Sequence, residues 1–158
     1  MKPGLGFLFL VLAASGCRSR PPYEGKNVAQ LEAMLRKPDL VAQAQGAYGL
    51  SLLGPEAREA VPALIEALKS PGPLVRQNAA LAIGKIGPEA RAAVPALIEA
   101  LRDPEWVVRR QAADSLGEMG DASRDARPAL EQLKKDPDGL VRKTAREALG
   151  KIGSERVR

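Results

Sequence analysis

Hydrophobic and polar positions repeat along most of this chain with a constant step of 33 residues. Within a repeat the apolar residues recur at helical spacing, as they do at Val94, Leu97 and Leu101. The same step separates one set of glycines and two sets of prolines: Gly54, Gly87, Gly120 and Gly153; Pro62, Pro95 and Pro128; and Pro38, Pro71, Pro104 and Pro137. A period of this length, kept in many columns at once, predicts a repeat protein.

Each repeat predicts two helices. Proline stands in the first turn of the first helix, where its missing N–H would have had no partner. A break follows at Ser70-Pro71, Asp103-Pro104 and Asp136-Pro137, where Ser or Asp is expected to cap the second helix and Pro to begin it. The second helix ends at the repeated glycine, which readily adopts the left-handed conformation. One face of the second helix in unit two carries Leu74, Val75, Ala79, Ala82, Ile83 and Ile86.

The pattern predicts eight helices in four hairpins over residues 26–158, with no strand. A pair of short helices cannot bury its apolar face alone, so neighbouring hairpins must stack. Aromatic residues make up only 3% of the chain, and small alanines recur at Ala79, Ala112 and Ala145, which lets helices approach closely. The predicted fold is therefore all-α, an α-solenoid of four helical hairpins.

A Val-Arg pair recurs at 75–76, 108–109 and 141–142, and an Asp stands six residues before two of these arginines. Over about residues 28–153 this pattern resembles the HEAT repeat, particularly the short bacterial form also found in phycobilisome lyases. The resemblance implies that the second helices line a concave face. It also implies a structural ladder of hydrogen bonds between adjacent repeats, formed by Arg76, Asp103, Arg109, Asp136 and Arg142. The first two units depart from the pattern, with Lys37 and Ser70 in the Asp column and Gln43 in the Arg column.

The first residues predict a secretory signal over 1–16. Met1-Lys2 is positive, an apolar run extends over 5–14, and small residues precede Cys17. The run is too short to span a bilayer, which takes ~20 apolar residues. A Cys directly after small residues resembles the lipobox of bacterial lipoproteins, which implies cleavage before Cys17 and acylation of its thiol. The alternatives are an ordinary signal peptide with an incidental Cys, and a buried thiol in an N-terminal helix.

Several acyl chains on Cys17 would hold the protein stably on a membrane, and residues 17–25 then form a lipidated Cys and a short extended tether. Arg18 follows the Cys, where an Asp would indicate retention at the inner membrane. The predicted location is the bacterial cell envelope, with a lipid anchor in the outer membrane where the cell has one.

Composition argues against catalysis. The chain has no His and its only Cys is Cys17, which removes the usual general base and the commonest metal ligands. Asp114 and Glu118 are one helical turn apart, but Arg110 lies one turn before them, which favours a surface charge network over an acid–base pair. We expect no catalytic residue, no metal and no cofactor.

The net charge of +5 is unevenly distributed. Residues 127–158 carry nine Lys or Arg against five Asp or Glu, whereas 94–126 carry four against seven. An acidic third unit interrupts any basic stripe that could follow phosphates, so no nucleic-acid partner is expected.

A second set of columns on the second helices varies between units and is predicted to face outward. Its members by unit are Ala44, Gln45, Tyr48, Leu52; Gln77, Asn78, Leu81, Lys85; Arg110, Gln111, Asp114, Glu118; and Lys143, Thr144, Glu147, Lys151. A clustered exposed apolar patch usually marks an interaction site. The predicted partner-binding residues are an apolar centre with charged neighbours and one possible aromatic anchor: Tyr48, Leu52 and Leu81; Lys85, Arg110 and Glu118; and Trp106.

Two alternatives stay open for these residues. The N-terminal helix or the tether could fold back over the apolar patch, and Trp106 could cap the end of the stack instead of anchoring a partner. The predicted function is a non-catalytic protein-interaction or scaffold module anchored to an envelope membrane. The alternative, which rests on the resemblance to phycobilisome lyases, is a lyase-like factor that handles a chromophore or modifies a partner.

Overall fold

The computed structural model of the chain describes residues 20–153. Within this range eight α-helices form four antiparallel hairpins, as predicted. Their bounds are α1 Val28–Leu35, α2 Leu40–Leu53, α3 Val61–Ala67, α4 Pro73–Ile86, α5 Val94–Ala100, α6 Trp106–Met119, α7 Arg127–Leu133 and α8 Gly139–Lys151. The longer second helices (α2, α4, α6 and α8) pack side by side in one layer, and the shorter first helices cover them. The all-α solenoid is thereby confirmed.

The repeated glycines end the second helices. Gly54, Gly87 and Gly120 have φ values of 56°, 78° and 58°, a conformation in which a side chain would be strained. Each glycine opens a short 3₁₀ segment that leads into the next hairpin, a feature the sequence pattern did not separate from the helices. The three segments are Gly54–Ala60, Gly87–Ala93 and Gly120–Ala126.

The second helices begin two residues later than the sequence predicted. Their N-cap residues in units two, three and four are Gly72, Glu105 and Asp138, so capping by Ser70, Asp103 and Asp136 is wrong. The oxygen of each predicted cap instead accepts a hydrogen bond from the backbone N–H two residues on, within the turn between the two helices. These side chains are held in the turn because they also bond to the preceding unit.

The core is aliphatic and continuous through all four units. Equivalent leucines in the first helices, Leu31, Leu64, Leu97 and Leu130, are almost completely buried. Adjacent second helices approach so closely that a Cβ on Gly84 would lie 2.7 Å from Ser115 Oγ. Close packing of small side chains explains how a chain with few aromatic residues builds a buried core.

The first of the described residues belong to the predicted tether. Residues 22–25 form a turn in which Glu24 N–H donates to Pro21 O, and Gly25 has a φ of 72°. Cys17 and the predicted signal segment 1–16 lie outside the described residues. None of the helices over 20–153 combines the length and the apolar character that crossing a bilayer requires.

Candidate functional site

The ladder residues lie in one line along the turns between first and second helices. Arg76 Nε and Nη2 donate to the two carboxylate oxygens of Asp103 at 2.7 and 2.9 Å. Arg109 donates to Asp136 in the same way at 2.8 and 3.0 Å. Arg142, in the last unit, donates to two backbone carbonyls of its own turn. Bidentate hydrogen bonds of this kind fix the orientation of the guanidinium relative to the carboxylate as well as their distance.

Each ladder arginine also closes its own hairpin. Nη1 of Arg109 donates to the carbonyls of Asp103 and Pro104 at 2.8 and 3.0 Å, and Nη1 of Arg76 makes the equivalent pair of bonds. One guanidinium therefore joins the turn of its own repeat to the carboxylate of the next. The ladder side chains of the two charged junctions are only 5–13% exposed, so they support the stack and are not accessible to a ligand.

The environment of the ladder carboxylates favours their charged form. Burial raises the pKa of Asp103, but hydrogen bonds from Arg76 and from the Glu105 N–H, with the nearby guanidinium charges, outweigh burial and hold that pKa below its ordinary value of 3.8. The pKa of Asp136 is lowered by the same balance of effects around Arg109. Both carboxylates are therefore ionised at neutral pH.

A neutral version of the ladder joins the first two units. Gln43 Nε2 donates to Lys37 O at 2.7 Å, and Ser70 Oγ donates to Gln43 Oε1 at 3.2 Å. Gln43 thus takes the position of the arginine and Ser70 that of the carboxylate. The departure of the first units from the repeat pattern does not break the ladder but replaces an ion pair with an amide–hydroxyl bond.

An open groove of about 440 Å³ lies between α2 and α4, and neither Gln43 nor Ser70 lines it. Its walls hold no charged side chain. Val41 and Leu74 are 62% and 58% exposed at its mouth. Leu40 and Tyr48 also line it, with the polar side chains of Gln45 and Asn78. The groove therefore combines a mostly apolar wall with a few polar groups, which is the usual composition of a binding site.

Tyr23 covers one side of the groove. Its ring and the Tyr48 ring make an edge-to-face contact, with the centroids 5.2 Å apart and the planes at 73°. A Cβ on Gly49 would lie 2.9 Å from Tyr23 Cβ, so glycine is needed for this close approach. The end of the tether thus folds back on the first unit, as one of the two alternatives anticipated, yet Tyr48 remains 36% exposed.

Fewer of the residues that the sequence predicted to face outward on the second helices are exposed than expected. Leu52 is 61% exposed, but Leu81 is half-buried, and Ala44 and Gln111 are buried. Ala44 and Gln111 lie where adjacent second helices meet, and Asn78 Nδ2 donates to Ala44 O across such a seam at 2.9 Å. Leu74, which the sequence assigned to the core face, is exposed instead.

The charged members of the predicted site form pairs outside the groove. Lys85 Nζ donates to Glu118 at 2.7 Å between units two and three, and this bond raises the pKa of Lys85. The Arg110 guanidinium lies 5.9 Å from the ring centroid of Trp106, which is 39% exposed at the first residue of α6. The structure therefore separates the predicted site into the Tyr48 groove, the Lys85–Glu118 pair and the Trp106–Arg110 pair.

Sequence reasoning missed Leu40, Val41 and Leu74 as surface residues. All three stand in the first turn of a second helix, where a side chain points back toward the N-terminus of the helix and past the end of the packed layer. That position, two or three residues after the turn proline, was the available signal.

Comparison with known proteins agrees with this geometry. A family model for HEAT repeats matches residues 28–101 and 94–158. No curated protein matches the chain. Among solved structures, the complex of CpcE and CpcF of phycocyanin lyase from Nostoc sp. PCC7120 is similar with a TM-score of 0.73 and 33% identity, over 81% of this chain and 54% of that one.

Engineered repeat proteins are similar as well. One engineered protein matches with a TM-score of 0.64 and 26% identity, over 79% of this chain and 62% of its own. A designed armadillo repeat protein, in complex with the peptide (KR)4, matches with a TM-score of 0.67 and 21% identity, over 80% of this chain and 64% of its own. The chain thus spans 54–64% of the length of these three proteins.

Proposed function

Because this chain belongs to the HEAT-repeat family, we propose that it acts by binding another protein, without catalysis, and that the groove between α2 and α4 receives the partner. The observation that carries the proposal is the exposure of Val41 and Leu74 beside Tyr48 in one groove. Contiguous apolar surface on a folded protein usually marks a place where something binds.

The lining of the groove indicates the chemistry of the partner. Because no charged side chain lines it, the bound segment is apolar where it enters, with the tyrosine hydroxyls and the Gln45 amide available for a few hydrogen bonds. Burial of apolar surface would supply most of the affinity, so binding should depend only weakly on salt. The charged pairs on units two to four would then affect the rate of encounter more than the lifetime of the complex.

The proposal includes a membrane location. Cys17 follows a short apolar segment and small residues, the arrangement that resembles a lipoprotein signal. Acyl chains on Cys17 would hold the solenoid at an envelope membrane, the outer one where present. Intact-mass measurement of the mature protein should show an acylated Cys17 at its N-terminus, and Cys17→Ser should release the chain from membranes. A mature protein that carries an unmodified Cys17 would refute the anchor without affecting the groove.

A second candidate function rests on one finding, the similarity to the phycocyanin lyase complex at 33% identity. A lyase-like factor would alter its partner covalently, whereas a binding module would not. Intact-mass measurement of the partner after incubation with the full chain separates the two. We expect an unchanged partner mass, and a mass increase that requires this chain would favour the alternative.

The binding proposal is tested in two steps. A photoactivatable residue at Leu74 first captures and identifies the partner in cells, and the affinity of that purified partner is then measured for two variants on one helix. Tyr48→Ala removes a groove wall and should weaken binding by ~2 kcal/mol or more, which is about 30-fold. Leu52→Ala is the matched control, because Leu52 is exposed on the same helix and does not line the groove.

The free energy of unfolding of each variant should lie within about 1 kcal/mol of the wild-type value, since neither side chain is buried. Equal affinity losses for Tyr48→Ala and Leu52→Ala would extend the site along the whole face of α2. Unchanged affinity for Tyr48→Ala would exclude the groove.

A further inference from the structure

The segment before the first helix is attached to the solenoid chiefly through one side chain. Residues 20–26 form this segment, which we call the N-terminal strap. Tyr23 and Lys26 are half-buried, and the other five members of the strap are exposed. Its two backbone hydrogen bonds are internal, from Glu24 N–H to Pro21 O and from Lys26 N–H to Tyr23 O. The docked position of the strap therefore depends on the Tyr23 ring.

The first unit has a specific place for that ring. Gly49 is equivalent to Ser115, whose hydroxyl donates to Ala80 O of the preceding second helix. No second helix precedes unit one within residues 20–153, and Tyr23 lies where such a helix would pack. A Cβ on Gly49 would lie 2.9 Å from Tyr23 Cβ, so the smallest residue is needed at this position. The strap is thus docked specifically, although few contacts hold it.

The strap can leave this place without disturbing α1. Asn27 Oδ1 accepts from Gln30 N–H, and Asn27 N–H donates to Gln30 Oε1, so the start of α1 is capped independently of the strap. Gly25 lies between Tyr23 and this cap with a φ of 72°, and nothing lies within 4 Å of the position its Cβ would take. A glycine in open space can absorb a large change in backbone angles, as a hinge does. A segment with one buried ring and a hinge should open at low cost.

Undocking of the strap would change the groove between α2 and α4. Tyr23 is the only residue of the groove wall that lies outside α2 and the start of α4. It also supports the Tyr48 ring through their edge-to-face contact. Undocking would therefore remove one wall and leave the ring of Tyr48 free to turn. Only the docked strap presents the complete groove.

We propose that the N-terminal strap regulates the groove: the docked strap completes the binding site, and undocking about Gly25 opens the site and releases the partner. The inference rests on groove binding in the proposed function and is independent of the membrane attachment. By thermodynamic linkage, a partner that binds the docked state more tightly must also hold the strap docked, by the same factor. The strap continues the predicted tether, so a partner or surface that holds the chain before residue 20 would bias the groove.

The state of the strap can be measured directly, because Tyr23 and Tyr48 are the only tyrosines of the chain. Fluorotyrosine incorporated throughout the full chain gives two fluorine NMR signals, both from this ring pair, and Tyr23→Phe assigns them. The neighbouring ring shifts both signals in the docked state, whereas undocking gives Tyr23 the signal of a solvated tyrosine. The docked fraction is measured without and with the purified partner captured through Leu74.

Gly25→Ala should shift the strap toward the undocked state. A side chain at this φ is strained in the docked turn, whereas the undocked chain can relax. We expect the docked-to-undocked ratio to fall roughly 5- to 30-fold, and saturating partner to raise it again. Glu24→Ala is the matched control, because Glu24 is an exposed member of the same turn without a positive φ. Its ratio should equal that of the wild type.

Gly49→Ala tests the same coupling from the other side of the contact. The new methyl group takes the place of the Tyr23 side chain, and Gly49 does not line the groove. With the strap docked in fewer than about a tenth of the molecules, the apparent affinity for the partner should fall at least 10-fold. Leu31 Cδ2 would lie 2.5 Å from the added Cβ, so the melting temperature is measured as well. If Gly49→Ala is destabilised, Gly25→Ala decides, because it does not touch the core.

Four results would overturn the proposal. They are a docked fraction that the partner leaves unchanged, a docked fraction that the partner lowers, a strap that stays fully docked in both glycine variants, and normal affinity for a folded Gly49→Ala chain whose strap is undocked. The second result would make Tyr23 a competitor of the partner. Tyr48→Ala separates the two proposals: normal binding by this variant excludes the groove itself. Weakened binding, together with a docked fraction that does not respond to the partner, refutes only the regulation by the strap.

Discussion

The first junction between repeats differs from the two that follow it, although all three have the same backbone frame. Between units one and two, Gln43 and Ser70 make a neutral hydrogen bond. The groove between α2 and α4 of the same two units is lined without charge, whereas a second groove, which Gln43 and Ser70 line, also holds charged side chains such as Glu32 and Lys69. Between the later units, bidentate ion pairs join Arg76 to Asp103 and Arg109 to Asp136. The outer face beside those later junctions carries charged pairs such as Lys85–Glu118.

This difference shows which parts of the repeat are fixed and which vary. The core leucines, the terminal glycines and the position of the ladder are common to all units, because each repeat must pack on its neighbours. The side chains at the junction and on the outer face change between units, while the packing of the helices stays the same. Most of the exposed apolar side chains lie in units one and two. We therefore assign binding to these two units, and chiefly structural and electrostatic roles to units three and four.

The largest expected loss of stability comes from core substitutions, and it should be similar in units one and two and in units three and four. Leu64 and Leu97 are equivalent, and both are fully buried. Replacement of either by Ala should reduce the free energy of unfolding by roughly 2–5 kcal/mol, through lost burial and a residual cavity. Chemical denaturation of both variants measures this. A loss at one site at least twice that at the other would mean that the halves do not share one core.

The charged junctions should be the next most sensitive. Asp103→Ala leaves the largely buried Arg76 side chain without its carboxylate, although its two backbone carbonyls remain. We expect a loss of about 3 kcal/mol, at the lower end of the range for breaking a buried ion pair. Asp39→Ala is the control for a lost exposed carboxylate: Asp39 only caps α2, and its removal should cost about 1 kcal/mol. Equal losses would show that the ion pair adds nothing beyond a local cap.

Acid should weaken the charged junctions and leave the neutral one unaffected. The pKa values of Asp103 and Asp136 are lower in the folded chain than their ordinary value of 3.8. Their contribution to stability is therefore complete above that value and is lost as pH falls through the lower folded pKa values. Unfolding measured from pH 6 downward should show a shallower acid dependence for Asp103→Asn than for wild type. An identical dependence would contradict the assignment.

The neutral junction should give the smallest loss. Ser70→Ala removes the hydroxyl that bonds Gln43 and accepts from Gly72 N–H, and it should cost about 1 kcal/mol. The double variant Gln43→Arg with Ser70→Asp installs the charged pair found in later units. It should be more stable than the two single variants predict by adding their separate effects, with a coupling of about 1–3 kcal/mol. Additive effects in the same denaturation measurements would show that the first junction cannot form the later geometry.

The sequence predicted the helices and the buried core better than it predicted which side chains are exposed. Columns such as Leu97 and Gly120 recur in every unit, so periodicity alone identified the helices, the C-terminal ends of the second helices and most of the aliphatic core. It could not predict that Leu74 is exposed, because burial at the first turn of a helix depends on what the neighbouring repeat places there. It noted that Gln43 and Ser70 stand in the ladder columns, but it did not predict that their side chains bond to each other, because the ladder was inferred from residue identity and not from position.

The Tyr48 contact with Tyr23 was only one of two open alternatives. Tyr23 stands outside the repeat and has no equivalent residue in other units, so no column could indicate where its ring lies. Capping by Asp103 was wrong for a related reason. The Asp-Pro pair fits a helix start locally, but the bond to Arg76 of the preceding unit holds this side chain in the turn.

We propose that a protein partner binds in the groove between α2 and α4 and not along the whole solenoid. A photoactivatable residue placed at four equivalent positions, Val41, Leu74, Val107 and Leu140, measures this directly in cells. We expect one protein partner to be captured strongly from the first two positions and weakly or not at all from the last two. Capture of that partner with equal yield from all four positions, or only from the last two, would contradict it.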